Sequence, residues 1–164
     1  MKRKAVYAGS FDPITKGHLD IARRALGVFD EVVVAVAHNP DKESGLFTGP
    51  ERVALIRESL DDVKDRVTVD SFSGLLVHYC ERTKANAIIR GLRAVSDFEY
   101  EFQMAMMNRH LNDRVETYFM TASESYFYTA SRLVKEVASL GGDVSSLVPP
   151  GVHKALVERF KSRP

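Results

Sequence analysis

Cysteine is all but missing. Cys80 stands alone in 164 residues, which excludes an intrachain disulfide and a cysteine-built zinc cluster. Excess charge of one sign is missing too. Lys and Arg total 23 against 22 Asp and Glu, a formal net charge of +1. That balance exerts no overall pull toward nucleic acid or an anionic membrane, so any anion site must be local. No long hydrophobic run is present. Met1-Lys2-Arg3-Lys4 leads into Ala5-Val6-Tyr7-Ala8-Gly9, too short for a signal core or a membrane span. The expectation is therefore a soluble, cytoplasmic protein. Repeats, low-complexity segments and interior linkers are absent, so the chain reads as one domain over 1–164. What is there is 45% hydrophobic and 27% charged, the balance of a folded chain with a substantial core.

Strand-like and helix-like patterns alternate from end to end. Residues 4–8, 32–37, 67–69, 87–89 and 117–120 read as strands. The second, Val-Val-Val-Ala-Val-Ala, is apolar throughout, as a strand covered on both faces should be. Helical spacing runs over 18–29, 75–83, 97–111, 131–140 and 153–160. Another helix is announced by Thr48-Gly49-Pro50-Glu51, a capping box with proline in the first turn, and sends Val53, Ile56 and Leu60 inward. The 97–111 helix, rich in Phe, Tyr and Met, is expected to be amphipathic. Such alternation predicts an α/β fold: a five-stranded parallel sheet with helices on both faces. Ligands then bind beyond the carboxyl ends of the strands, near the topological switch point. There the sequence places Gly9 to Asp12, His38 to Lys42, Ser73 to Leu75, Arg90 to Arg93 and Thr121 to Ser123, a mixture of small, basic and hydroxyl residues suited to a phosphorylated ligand.

Four segments carry candidate chemistry. In the first, Gly9-Ser10-Phe11-Asp12-Pro13-Ile14-Thr15-Lys16-Gly17-His18, Gly9 permits close backbone approach and Gly17-His18 open a helix whose free N–H groups attract anions. The second, Ile89 to Glu101, sets Arg90 and Arg93 about Gly91. Arginine forks suit phosphates, although pairing with Asp97 and Glu101 would account for both residues equally well. The third is Lys42 in the loop after the second strand, and the fourth Thr129-Ala130-Ser131-Arg132, where hydroxyls can cap a helix. Neither a Walker A loop nor a Gly-x-Gly-x-x-Gly pattern is present. His38, His78, His110 and His153 lack metal-ligand spacing.

Ser-Phe-Asp-Pro-Ile-Thr-Lys-Gly-His resembles the first signature of the nucleotidyltransferases with a Thr/His-x-Gly-His motif, here Thr15 to His18. With Arg90 to Glu101 and Met107-Asn108-Arg109-His110-Leu111, the resemblance narrows to the bacterial phosphopantetheine adenylyltransferases, over about residues 5–156. It implies a Rossmann-like fold and transfer of AMP from ATP to 4′-phosphopantetheine. The products are dephospho-coenzyme A and pyrophosphate, in the penultimate step of coenzyme A synthesis. It further implies a homohexamer, feedback inhibition by coenzyme A, and Mg²⁺ carried with ATP rather than held by protein side chains.

By the same resemblance, Ser10, His18, Lys42 and Arg93 are the catalytic set. Ser10, Phe11, His18, Gly91, Arg93, Glu101 and Ser131 meet ATP, with Tyr100 near the nucleotide. Ser10, Lys42, Leu75, Leu76, Arg90, Met104 and Asn108 meet phosphopantetheine. Two departures stand out. The final motif, typically Ile-Ser-Ser-Ser or Ile-Ser-Ser-Thr, is Thr129-Ala130-Ser131-Arg132, and Gly74 and Ala122 stand where relatives carry Asp and Pro. The alternatives are an adenylyl- or cytidylyltransferase for another acceptor, such as nicotinate mononucleotide, or a module that senses ATP or coenzyme A without catalysis. The Arg90 to Glu101 segment argues against the first, and intact Ser10, His18, Lys42, Arg90 and Arg93 against the second.

Overall fold

A computed structural model describes residues 2–38, 45–127 and 129–161. Five strands form one sheet: β1 (Lys4–Gly9), β2 (Glu31–Ala37), β3 (Val67–Phe72), β4 (Ala87–Leu92) and β5 (Glu116–Thr121). Their order is β3-β2-β1-β4-β5, and every neighbouring pair is parallel. The helices are α1 (Lys16–Ala25), α2 (Gly49–Ser59), α3 (Leu76–Thr83), α4 (Val95–Leu111), α5 (Ser131–Ser139) and α6 (Pro150–Lys161).

Side-chain alternation along the strands divides the core between two faces. Tyr7, Val34 and Ile89 pack with residues of α1, α2, α5 and α6. Val6, Val33 and Ile88 pack with Tyr79 and Cys80 of α3. Val32, Val34, Ala35 and Val36 are fully buried, which explains the unbroken apolar run of β2. The capping box of α2 closes as its sequence requires. Thr48 N–H donates to Glu51 Oε2 at 2.7 Å, and Glu51 N–H donates to Thr48 Oγ1 at 3.4 Å.

Four details differ from the sequence pattern. Helix α1 begins at Lys16, because Thr15 caps it, and ends at Ala25, where the chain turns before buried Phe29. β3 runs on to Phe72. β4 continues through Arg90 and Gly91 to Leu92, paired with β5, so the arginine belongs to the strand rather than to the loop behind it. Helix α4 is not amphipathic: its apolar residues lie all round, and none is buried.

Candidate active site

β1 has β2 on one side and β4 on the other, so the connections beyond its carboxyl end diverge. A cavity of about 400 Å³ opens there. It is walled by Ser10 and Phe11 after β1, by Gly17, His18 and Ile21 of α1, and by Arg90, Gly91 and Arg93 at the end of β4. Tyr100 and Glu101 of α4 close one side, and Thr129 to Arg132 close another. Two glycines make the approach possible. A Cβ on Gly91 would run into Ile21, and one on Gly17 into the hydroxyl of Thr129. Phe11 turns the chain through the left-handed region at φ 46°, a strained conformation for a bulky residue. Its ring meets His18 and Tyr7 edge-on, both at 5.2 Å.

The backbone settles the state of His18. At the third helical position its Nδ1 accepts the Thr15 N–H at 3.1 Å. An acceptor nitrogen carries no proton, so the neutral ring bears its hydrogen on Nε2. Burial, with Arg93 and Arg90 adding repulsion, pulls the imidazole pKa down to about 4. At neutral pH His18 is therefore an uncharged Nε2–H donor in the cavity wall.

The arginines are partly committed. Arg90 grips Glu101 through two bonds of 2.7 Å and donates a third of 2.7 Å to Ala8 O. Arg93 lies 3.7 Å from Asp97. Both pairings foreseen as the plain structural explanation are thus present, yet both arginines face the cavity. Arg132 makes no hydrogen bond or ion pair among the described residues, and the same holds for the Ser10 hydroxyl.

Helix α5 presents its amino end to the cavity with no side-chain cap. The expected hydroxyl cap is not formed. Thr129 Oγ1 donates backward to Tyr126 O at 2.7 Å, and Ser131 Oγ donates across to Pro13 O at 2.7 Å. What α5 offers a phosphate is thus its first backbone N–H groups.

Residues 6–136 match the Cytidylyltransferase-like family. A phosphopantetheine adenylyltransferase from Syntrophotalea carbinolica is 56% identical over 99% of this chain and 97% of its own length. Another, from Geotalea daltonii, is 58% identical over 95% of this chain and 96% of its own. The chain belongs to the phosphopantetheine adenylyltransferase family. In fold it is also similar to a Vibrio parahaemolyticus structure provisionally assigned as a nicotinate-nucleotide adenylyltransferase. That likeness has a TM-score of 0.71 at 20% identity, covering 96% of this chain and 99% of the other.

For a phosphopantetheine adenylyltransferase, the cavity gathers Ser10, Phe11, His18, Arg90, Gly91, Arg93, Tyr100, Glu101 and Ser131 from segments far apart in sequence. Leu75, Leu76, Met104 and Asn108 do not border it. Met104 and Asn108 belong to α4, Leu76 opens α3 and Leu75 precedes it; Leu76 packs into the α3-side core, while Leu75 and Met104 are exposed. Lys42 lies outside the described residues. Tyr7, Ile21 and Tyr126 line the cavity although they lie outside the candidate segments of the sequence. Tyr7 could have been noticed as a polar-tipped side chain inside the apolar run of β1. Asp12, part of the first candidate segment but given no role of its own there, accepts four contacts from three segments. Among the described residues, no three His, Cys, Asp or Glu side chains cluster as metal ligands. The nearby carboxylates are engaged by Arg90 and Arg93. Among the described residues the carboxylates at the cavity therefore make no metal cage. Among the described residues no helix is long and apolar enough to cross a membrane.

Proposed function

We infer that this cavity transfers AMP from ATP to 4′-phosphopantetheine, releasing pyrophosphate. The observation carrying the reading is the convergence of a neutral His18 donor, the Ser10 hydroxyl, Arg93 and the amino end of α5 on one cavity, in a chain of this family. A phosphate oxygen of the acceptor attacks the α-phosphorus. The new P–O bond forms as the bond to the β-phosphate oxygen breaks, and the electron pair leaves on pyrophosphate. The acceptor arrives as an anion, so no side-chain nucleophile is needed; the protein positions the groups and stabilises charge.

His18 donates Nε2–H to the α-phosphate, where negative charge builds. Ser10 bridges the two reacting phosphates. Arg93 and the backbone N–H groups of Ala130 to Arg132 receive the leaving pyrophosphate, Ser131 contributing through its main chain. Phe11 and Gly91 shape the nucleotide site, with Tyr100 and Glu101 beside it. Lys42 and Arg90 take the acceptor phosphate, Arg90 keeping its orientation from Glu101. The pantetheine arm leaves the cavity along the α3–α4 side, past Leu75, Leu76, Met104 and Asn108. Mg²⁺ is read as a counter-ion travelling with ATP. Coenzyme A, which shares the pantetheine arm, competes there as a feedback inhibitor, and the working assembly is a homohexamer in the cytoplasm.

Pyrophosphate release from ATP, compared with phosphopantetheine, nicotinate mononucleotide or no acceptor, tests the reading. Release only with phosphopantetheine supports it. Equal release with nicotinate mononucleotide would overturn it.

A further inference from the structure

We propose that Asp12 is a positioning residue, which holds Ser10 in register with the amino end of α5. This rests on reading the cavity as the adenylyl-transfer site. The Asp12 side chain is only 7% exposed, and both of its oxygens are fully used. Oδ1 accepts the Phe47 N–H at 2.9 Å and lies 3.5 Å from Arg52 Nε. Oδ2 accepts the Leu46 N–H at 2.9 Å and Lys135 Nζ at 2.9 Å. Burial alone would push this carboxyl up. The Phe47 N–H, Lys135, the Leu46 N–H and Arg52 together hold it below its ordinary value, so it stays ionised.

Two of these partners, Arg52 and Lys135, lead toward the reacting centre. Arg52 also donates to Phe47 O at 2.7 Å and to Ser10 O at 3.2 Å, so the Asp12–Arg52 contact fixes the backbone that carries the Ser10 hydroxyl. Lys135 stands four residues after Ser131 on the same face of α5. Ser131 bonds Pro13 O while Lys135 bonds Asp12, so α5 is fastened at two points to the two residues that follow Phe11. One buried carboxylate therefore sets the distance between the hydroxyl proposed to meet both reacting phosphates and the helix end proposed to receive pyrophosphate. An in-line displacement is sensitive to such spacing: an error near 1 Å can cost about a hundredfold in rate.

The test compares Asp12→Asn with the wild type at a temperature where circular dichroism shows both fully folded. Turnover should fall about tenfold to a hundredfold, with KM for ATP and for phosphopantetheine each within about threefold. Unchanged turnover, or a fall that only tracks lost folded protein, overturns the proposal. If Asp12→Asn does not fold, Lys135→Met reaches the same carboxylate from α5. It should lower turnover at least about threefold, Lys135→Arg should restore most of it, and wild-type turnover in Lys135→Met counts against the proposal. Hydrogen exchange reads the coupling without any reaction. In the folded variant, amides of 8–15 and 126–134 should both exchange faster, whereas acceleration confined to 45–48 sinks the idea. An inert wild type whose exchange behaves as expected would reject the assigned reaction while leaving Asp12 as the link between the two segments.

Discussion

At the scale of single residues, hydrogen bonding rather than residue type decides what each side chain can do. His18 could serve as a base, an acid or a donor. The Thr15 N–H on Nδ1 leaves only the Nε2–H donor. A donor used on charge that develops in the transition state contributes little to ground-state binding. His18→Ala should therefore lower turnover about a hundredfold to a thousandfold, with ATP affinity by calorimetry almost unchanged. A matched loss of ATP affinity would show that the ring works in the ground state. The depressed pKa has a stability consequence. Between the ordinary value of 6.5 and about 4, the unfolded chain binds a proton at His18 that the folded chain refuses. This contribution is fully present above pH 6.5 and is lost as pH falls toward 4. Melting temperature should drop over that window more steeply in the wild type than in His18→Ala, and nitrogen NMR should report the Nε2–H tautomer at pH 6. A protonated ring at that pH would contradict the assigned bond.

At the scale of elements, α5 borders the cavity through its motif, while the Ser131 hydroxyl is bonded within the protein. Ser131 was expected to give its hydroxyl to ATP, but that proton goes to Pro13 O. Ser131→Ala should then cost about 0.5–1.5 kcal/mol of stability, the worth of one hydrogen bond, and leave KM for ATP within about threefold. A tenfold rise in that KM with no loss of stability would return the hydroxyl to the phosphates. Elements whose signals were local were legible in sequence. β2 is a continuous apolar run because both its faces are covered, and α2 begins where Thr48, Pro50 and Glu51 require. Signals that depend on distant partners were not. Arg90 extends β4 because it pairs with β5 and bonds Ala8 O and Glu101, none of which is adjacent to it in sequence. Asp12 stood in a candidate segment, but its own role was not legible, since its partners Leu46, Phe47 and Lys135 lie at least 34 positions away. The Arg90 to Glu101 segment was legible as a candidate region, and it lines the cavity. That Glu101 would pair with Arg90 was foreseen as an alternative.

At the scale of the whole molecule, the two sides of the sheet are finished differently. On the α1 side Val134, Val152 and Leu156 are fully buried beneath their helices. On the other side α4 carries Val95 at 91%, Tyr100 at 65% and Met106 at 54% exposure, and no residue of the helix is buried. Beside it β5 is the sheet edge, with Tyr118 45% exposed and Phe119 packed against Phe98 at 5.8 Å. An apolar helix of this length next to an open strand edge invites association in a single chain. Copies of the same chain would cover that surface, and the proposed hexamer gives each copy such a neighbour. The surface also adjoins the catalytic cavity, because Tyr100 and Glu101 line the cavity from the same helix that bears Met106. Assembly and activity should therefore fail together. Sedimentation at micromolar concentration should show a hexamer for the wild type. Met106→Glu, which sets a charge among the exposed apolar side chains of α4 outside the cavity lining, should shift it toward monomer and lower turnover by loosening the helix that holds Glu101 against Arg90. A wild-type monomer with full activity would remove the hexamer. A dissociated Met106→Glu variant that turns over normally would instead show that α4 is rigid enough without neighbours to orient Arg90 within one subunit.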